Sequence, residues 1–195
     1  MPRAVFIDRD GVICRNRKDH VKDWREFRFL PGALDALARL ARTDLRVVIV
    51  TNQAVINRGI IPAEMVEEIH RRMVSAIEET GGRVNGVFYC PHQPDEGCDC
   101  RKPRPGLLLQ AAERLALDLP GSYLIGDAEA DMRAGRAVGC HRFLVLTGRG
   151  RRQLLRCWLH GERGFTVAPT LGSAVGRILR LESKIGDLLW RREPK

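Results

Sequence analysis

The chain has 195 residues, of which 44% are hydrophobic and 29% are charged, and its formal net charge is +9. This length is typical of one domain with a sizeable core, and the composition excludes disordered, collagen-like and membrane-spanning chains. Residues 149–195 contain 11 basic and 4 acidic residues, so +7 of the net charge lies there. Net charge alone leaves three classes of partner open: nucleic acid, an anionic membrane and small phosphorylated molecules.

The first residues show no secretory signal, and no apolar run approaches the length of a membrane span. We therefore expect a cytoplasmic protein with no membrane association. In that reducing setting, the six cysteines are expected to be thiols or metal ligands rather than disulfides.

Short apolar runs alternate with segments of helical periodicity, which indicates a parallel sheet with crossover helices. The predicted strands are 4–7, 47–50, 84–89, 123–125, 143–146 and a short one at 165–167. The predicted helices are 32–42, one from Pro62 to the glycines at 81–82, 107–117, one ending near 138, and a terminal helix from 171. We predict an α/β fold, a Rossmann-like three-layer sandwich with a mainly parallel central sheet and no large cap domain.

The chain is predicted to form a single domain over residues 1–195, with a motif core at 3–148 and a basic extension at 149–195. In the long second helix, the stripe of Met65, Ile69, Met73 and Ile77 is predicted to be core. The terminal helix carries a second apolar stripe, formed by Leu181, Ile185, Leu188 and Leu189. We expect this stripe to pack back on the sheet, and self-association or an acidic partner remains the alternative.

Polar residues follow three of the predicted strands, and ligands of open α/β sheets bind beyond the carboxyl ends of strands. Asp8 and Asp10 follow the first strand, Thr51 and Asn52 follow the second, and Asp127 follows a later one. Two carboxylates at this spacing suit a nucleophile and a general acid/base. Asp127 adds charge for a hard cation such as Mg²⁺. Any one of these residues alone is as readily a turn former or helix cap.

Phosphate chemistry also needs hydroxyl and cationic donors. Thr51, Asn52 and Lys102 are candidates for that role, although an isolated loop lysine is ordinarily a solvated charge. His70 lies within a predicted helix and is expected to have a surface or packing role rather than a catalytic one. The run of Arg149, Arg151 and Arg152 is typical of a solvated surface, with phosphate binding as the alternative.

A cluster of metal-ligand residues lies between the third strand and the next helix. Cys90, His92, Cys98 and Cys100 fall within eleven residues. Three thiolates and one imidazole complete a tetrahedral Zn²⁺ site and leave no open position, so we predict a structural zinc.

Four ordered motifs resemble those of phosphatases of the haloacid dehalogenase superfamily. They are Phe6-Ile7-Asp8-Arg9-Asp10-Gly11-Val12-Ile13, Val50-Thr51-Asn52-Gln53, Cys100-Arg101-Lys102-Pro103 and Ile125-Gly126-Asp127. Within that superfamily the chain is most similar to the heptose bisphosphate phosphatases, which are grouped with the histidinol-phosphate phosphatases and share the Cys/His loop. The resemblance covers residues 3–148.

The resemblance implies Mg²⁺-dependent hydrolysis of the C7 phosphate of D-glycero-D-manno-heptose 1,7-bisphosphate, in the supply of activated heptose for lipopolysaccharide or other surface glycans. It implies that Asp8 is the nucleophile and Asp10 the general acid/base. Magnesium would be held by the Asp8 carboxylate, the Asp10 backbone carbonyl and Asp127. The phosphate and substrate contacts implied are Thr51, Asn52, Gln53, Arg101, Lys102 and, more loosely, Arg17, Lys18, Asp19 and His20.

The chain departs from the family pattern at two positions. Ala54 stands where many relatives have Ser, and Ala128 stands where many have Lys. The contribution of that lysine is therefore absent or supplied by another residue. Asp131 is a candidate second acidic neighbour, or a residue that supports the ligands or starts the helix.

Two alternative functions remain. A histidinol-phosphate phosphatase would use the same motifs. A zinc-containing nucleic-acid-binding protein would explain the net charge, but the Cys/His spacing is not that of a DNA-reading finger and only 6% of residues are aromatic. We expect a small phosphorylated sugar as substrate, no nucleic-acid partner and a monomer.

Overall fold

The computed structural model describes the backbone of residues 1–190 and the side chains of residues 1–184. Six strands form one sheet: β1 Ala4–Ile7, β2 Arg46–Asn52, β3 Gly86–Cys90, β4 Tyr123–Gly126, β5 His141–Val145 and β6 Thr166–Ala168. The helices are α1 Ala33–Leu40, α2 Ala63–Glu79, α3 Gly106–Leu115, α4 Glu129–Ala137, α5 Gly150–Leu159 and α6 Leu171–Trp190. A short 3₁₀ helix, Trp24–Glu26, lies between β1 and α1.

The strand order is β3-β2-β1-β4-β5-β6, and every neighbouring pair is parallel. The predicted α/β sandwich is therefore confirmed, with a sheet that is wholly rather than mainly parallel. Chain order reverses direction at β1, between β2 and β4. The carboxyl ends of these three strands meet there, which is where parallel sheets bind ligands.

Side chains of the central strands alternate between two buried faces, because successive residues of a strand point to opposite sides. Val5 and Ile7 of β1 pack with α1, α2 and α6, whereas Ala4 and Phe6 pack with α3 and α4. The central strands are apolar throughout because helices cover both faces. The α5 helix packs through Cys157 against Met132 of α4 and Leu144 of β5.

The buried stripe of α2 differs from the prediction at its first position. Val66, Ile69, His70, Met73 and Ile77 are buried, whereas Met65 is 37% exposed. Val66 takes the inward position in the first turn. Met65 is therefore not a core residue.

Residues 149–190 are continuous with this architecture. β6 pairs with β5, and Leu171, Ala174, Val175 and Ile178 of α6 join the core on the α1 side. Glu182 of α6 accepts hydrogen bonds from Arg3 (2.9 Å) and from the Tyr123 hydroxyl (2.6 Å). The side chains of Ile185, Leu188 and Leu189, and residues 191–195, lie outside the described residues.

The connections leave little room for a further domain. Between β1 and α1 the chain forms turns and the 3₁₀ helix, and α2 alone connects β2 to β3. No cap-sized domain is inserted within residues 1–190. None of the helices described is both long and apolar enough to cross a membrane.

Candidate active site

A cleft opens at the carboxyl ends of β1, β2 and β4, as the strand order requires. Its lining is predominantly polar: Asp8, Asp10, Thr51, Asn52, Lys102, Ala128, Ala130, Asp131 and Arg149. The structure thus brings together predicted residues from each of the four motifs, and Asp8 and Asp127 are 119 positions apart in the sequence. Asp127 lies directly behind this lining and is fully buried.

The ammonium group of Lys102 lies at the bottom of the cleft between two carboxylates. Its Nζ is 2.9 Å from Oδ1 of Asp8 and 2.6 Å from Oδ1 of Asp131, and it donates to the Val50 carbonyl at 2.8 Å. Burial favours the neutral amine, but Asp131 and Asp8 outweigh that effect and raise the pKa of Lys102. The lysine therefore remains a cation, and the solvated-loop interpretation of Lys102 does not apply.

Asp8, Asp127 and Asp131 form a buried carboxylate cluster, with one oxygen from each lying within 4.8 Å of the others. Burial raises the pKa of Asp8 to about 7, with Lys102 opposing the rise and the neighbouring carboxylates adding to it. Burial likewise raises the pKa of Asp127 to about 6 against the opposing effect of Arg149. Converging oxygen ligands that repel one another are the donor set that a hard divalent cation stabilises.

The carboxylate of Asp127 is seated against glycine backbone. Gly11 has φ +86° and Gly148 has φ +56°, which are left-handed values that favour glycine. A Cβ added at either position would overlap Oδ2 of Asp127. These two glycines therefore leave the space that the carboxylate of Asp127, at the end of β4, occupies.

Asp10 lies beside the cluster, but its carboxylate is turned toward a different set of partners. Arg9 donates to both of its oxygens at 2.9–3.2 Å, and Gln53 Nε2 donates to Oδ2 at 2.8 Å. Burial alone would raise the pKa of Asp10, but Arg9 and Gln53 outweigh it and lower that pKa. Gln53 is buried and also donates to Thr51 Oγ1 at 2.9 Å, so in this structure it supports Asp10 and Thr51 from behind the cleft lining.

Asn52 joins the strand end to the loop that carries Lys102. Its Oδ1 accepts from the Lys102 N–H at 3.1 Å, and its Nδ2 donates to the Lys102 carbonyl at 3.0 Å. This reciprocal pair fixes the backbone of Lys102 relative to β2.

The remaining predicted substrate contacts lie outside the cleft lining in the described part of the chain. Arg101 donates to the His92 carbonyl at 2.9 Å. Arg17 pairs with Asp19 at 2.8 Å, and His20 lies 3.2 Å from Arg58. Lys18 is exposed. This segment is held by its own ion pairs.

The predicted metal loop is assembled. Cys90 Sγ is 3.6 Å from Cys98 Sγ and 3.5 Å from His92 Nδ1, and Cys100 Sγ is 3.6 Å from Cys98 Sγ and 3.2 Å from His92 Nδ1. Zn–S bonds of about 2.3 Å at tetrahedral angles separate two sulfurs by about 3.8 Å. The four side chains therefore fit one tetrahedral ion of the zinc type.

Sequence reasoning missed three features of the site. Arg149 is predicted to be solvated surface, with phosphate binding as the alternative, and its contact with Asp127 is not predicted. Its backbone N–H donates to Oδ2 of Asp127 at 2.7 Å, and its Nη2 lies 3.4 Å from Oδ1. Arg9, the residue between the two motif aspartates, was given no role. His70 was expected only to pack, but its Nε2 lies 3.0 Å from Arg9 Nη1. The position of Arg9 inside the first motif was the one available signal.

Comparisons with known proteins place the chain among haloacid dehalogenase-type hydrolases. Residues 99–174 match the HAD-hydrolase-like family model. The chain is 43% identical to a D-glycero-β-D-manno-heptose-1,7-bisphosphate 7-phosphatase of Pseudomonas aeruginosa, over 90% of this chain and 99% of the relative. It is 42% identical to the enzyme of the same name from Pseudomonas putida, over 78% of this chain and 87% of the relative.

A solved structure is similar over nearly the whole molecule. It is the D,D-heptose 1,7-bisphosphate phosphatase of Bordetella bronchiseptica complexed with magnesium and phosphate. The TM-score is 0.86 at 38% identity, covering 91% of this chain and 98% of the other. These relatives do not favour the histidinol-phosphate or nucleic-acid alternatives. The chain belongs to the heptose 1,7-bisphosphate 7-phosphatase family of haloacid dehalogenase-type hydrolases.

Proposed function

We propose that this protein is a Mg²⁺-dependent phosphatase that removes the C7 phosphate of D-glycero-D-manno-heptose 1,7-bisphosphate. The observation that carries the proposal is the buried Asp8, Asp127 and Asp131 cluster against Lys102, in a chain so similar to enzymes named for that reaction. The relatives' names specify the β anomer, which we adopt for this chain. The product would feed activated heptose synthesis for lipopolysaccharide or other surface glycans.

Asp8 is the proposed nucleophile. Its carboxylate oxygen attacks phosphorus, an Asp8–phosphorus bond forms, and the bond from phosphorus to the sugar C7 oxygen breaks. Lys102, at 2.9 Å, favours the ionised carboxylate that this attack requires. Water then attacks the phosphorus of the aspartyl phosphate and releases inorganic phosphate, which returns Asp8 to its carboxylate form.

Asp10 is the proposed general acid/base. It donates a proton to the departing sugar oxygen and later accepts one from the attacking water. The ion pair with Arg9 favours the carboxylate, which is the form that accepts a proton. A proton on Asp10 weakens that pairing, so donation of the proton to the sugar oxygen restores the ion pair with Arg9.

The carboxylates of Asp8 and Asp127 and the backbone carbonyl of Asp10 are the proposed magnesium ligands, and Asp131 is close enough to join or support them. A bound Mg²⁺ would supply positive charge that neutralises the phosphate oxygens. Thr51, Asn52 and Lys102 are proposed to hold the phosphoryl oxygens, with Gln53 supporting them. Arg101 and the Arg17, Lys18, Asp19 and His20 segment are proposed to contact the sugar end of the substrate.

The ion held by Cys90, His92, Cys98 and Cys100 is proposed to be a structural Zn²⁺. We further propose a single domain over residues 1–195, supported by the packing of β6 and α6 on the sheet and the core. A cytoplasmic location and a monomeric state remain predictions.

The decisive experiment replaces the nucleophile. Asp8→Asn should lower phosphate release from heptose 1,7-bisphosphate at least ~10³-fold, because an amide does not form the covalent intermediate. Asp44→Asn, at an exposed position, is the matched control and should keep wild-type turnover. Near-normal turnover in Asp8→Asn, with folding and zinc content unchanged, would exclude the mechanism. A wild-type kcat/KM that is higher for histidinol phosphate would exclude the substrate.

A further inference from the structure

The cleft contains four carboxylates but few cations with free donors. Asp8, Asp10 and Asp131 line it and Asp127 lies directly behind them, while Lys102 and Arg149 are the basic residues of the lining. A phosphate group carries up to two negative charges into these surroundings. Its recognition therefore depends on which cation has hydrogen-bond donors to spare.

Lys102 has none to spare in this structure. An ammonium group has three donors, and its Nζ already contacts Asp8, Asp131 and the Val50 carbonyl. Its side chain is only 3% exposed. To contact a phosphate, Lys102 would have to exchange one of these partners.

Arg149, unlike Lys102, has hydrogen-bond donors to spare. A guanidinium has five N–H donors. Among residues 1–184, whose side chains the structure describes, this guanidinium makes one contact, 3.4 Å from Nη2 to Asp127 Oδ1. The side chain is 54% exposed and borders the cleft. Most of its donors are therefore available to a ligand.

The backbone of Arg149 is well anchored, although its side chain makes only the one contact with Asp127 among the described residues. Its N–H donates to Asp127 at 2.7 Å. The α5 helix that follows is joined to the start of α4 by Gln153, which accepts from the Glu129 N–H at 3.1 Å. Glu129 in turn pairs with Arg156 at 3.1 Å and lies 2.9 Å from His160. This contact network sets where Arg149 enters the cleft.

We infer that Arg149 binds the reacting phosphate group, donating to its non-bridging oxygens from the Asp127 side. The inference rests on the proposed phosphatase function and deepens it. Arginine suits this role because its planar fork matches phosphate oxygens and its charge is permanent. Ala128, which borders the same cleft, brings no charge, so Arg149 supplies the cation on this side.

Binding of inorganic phosphate, measured by calorimetry with Mg²⁺ present, tests the inference without turnover. Arg149→Ala should weaken phosphate binding about ten- to a hundredfold, as expected for loss of charged hydrogen bonds. Arg149→Lys should recover part of it. Arg152→Ala removes the same charge from an exposed position of α5 outside the cleft lining and should bind as wild type does.

A rescue variant separates phosphate binding from support of Asp127. Ala128→Lys introduced into Arg149→Ala places a cation at the same cleft from a different strand end, and should restore at least part of the phosphate affinity. Beryllofluoride, an analogue of the aspartyl phosphate, should lose affinity in parallel, which places Arg149 at the reacting position.

Unchanged phosphate binding in Arg149→Ala would overturn the inference. So would a loss that neither lysine variant reduces, because it would assign Arg149 to structure alone. A loss for phosphate but not for beryllofluoride would also overturn it, placing the ion away from Asp8. A chain that binds phosphate through Arg149 but does not cleave heptose bisphosphate would refute the proposed function and leave this inference standing.

Discussion

Arg9 is a buried charge whose partners come from three parts of the chain: the turn after β1, the loop after β2 and helix α2. It is 2% exposed, contacts Asp10 and Gln53, and places Nη1 3.0 Å from Nε2 of His70 on α2. Burial lowers the pKa of His70 to about 3, and the neighbouring Arg9 adds to the effect while Asp10 opposes it. The imidazole is therefore neutral at pH 7, and its Nε2 accepts the hydrogen bond from Arg9. The buried guanidinium of Arg9 thereby has hydrogen-bond partners while it positions Asp10, the proposed general acid/base.

We predict a pH dependence of stability that originates at His70. The unfolded chain binds a proton on this histidine at a pKa near 6.5, whereas the folded protein binds it only near 3. Between these values the unfolded state binds more protons, so the free energy of unfolding decreases as pH falls through this window. His70→Gln, which keeps an acceptor, should show a shallower decrease in urea unfolding, and the exposed His141→Gln should match wild type. Equal slopes in all three proteins would contradict a neutral, buried His70.

At the scale of elements, the β3–α3 connection joins the metal loop to the catalytic edge. Cys100 is two residues before Lys102, and Arg101 donates a hydrogen bond to the His92 carbonyl. Asn52 forms two hydrogen bonds with the backbone of Lys102. A metal ion in this loop would therefore stabilise the backbone that positions Lys102, at a distance from the reacting atoms. Such a site resembles a structural zinc rather than a catalytic one.

Removal of the loop metal should lower the melting temperature and raise KM before it lowers kcat. Without an ion, the four ligands repel one another or move apart. The segment with Arg101 and Lys102 then loses the support that positions it. Metal content, thermal unfolding and steady-state kinetics should be measured on the same chelated sample. Re-addition of Zn²⁺ should restore all three quantities. Metal-free protein with unchanged melting temperature and KM would rule out this role.

At the scale of the whole molecule, the described part of the basic C-terminal extension contributes to the core. Four apolar residues of α6 pack on the α1 side of the sheet, and Glu182 ties the helix to Arg3 and Tyr123. Residues 149–190, with 8 basic and 3 acidic residues, carry +5 of the net charge and include elements that complete the fold. One of these residues, Arg149, borders the cleft.

Substitutions in α6 should therefore destabilise the entire chain in one transition. Ile178 is fully buried, and Ile178→Ala should lower the free energy of unfolding by about 2–5 kcal/mol through lost burial and a residual cavity. Leu181 on the same helix is 44% exposed, and Leu181→Ala should change the free energy of unfolding by no more than about 0.5 kcal/mol. Chemical unfolding followed by both circular dichroism and fluorescence tests this. A separate early transition in Ile178→Ala would indicate that α6 is not part of one cooperative domain.

Much of the fold was predictable because its signals are local. The apolar run before Asp8, the helical period of α2 and the spacing of the four metal-loop ligands are each contained within a short stretch of chain. Where the local signal was ambiguous, the prediction was wrong. Met65 and Val66 both fit the start of an apolar stripe on α2, and only packing against the sheet made Val66 the buried one.

The sequence by itself determined the alternation of strands and helices, the aspartates and Lys102 of the motifs, and the Cys/His loop, since each depends on residue type and short spacing. The tertiary structure decided the rest. It brings Asp131 and Lys102 together as an ion pair, and it places His70 to accept a hydrogen bond from Arg9. It also places the backbone N–H of Arg149 to donate to Asp127. These partners are separated by 29, 61 and 22 positions. Their proximity follows from strand order and helix packing, which no periodicity along the chain encodes.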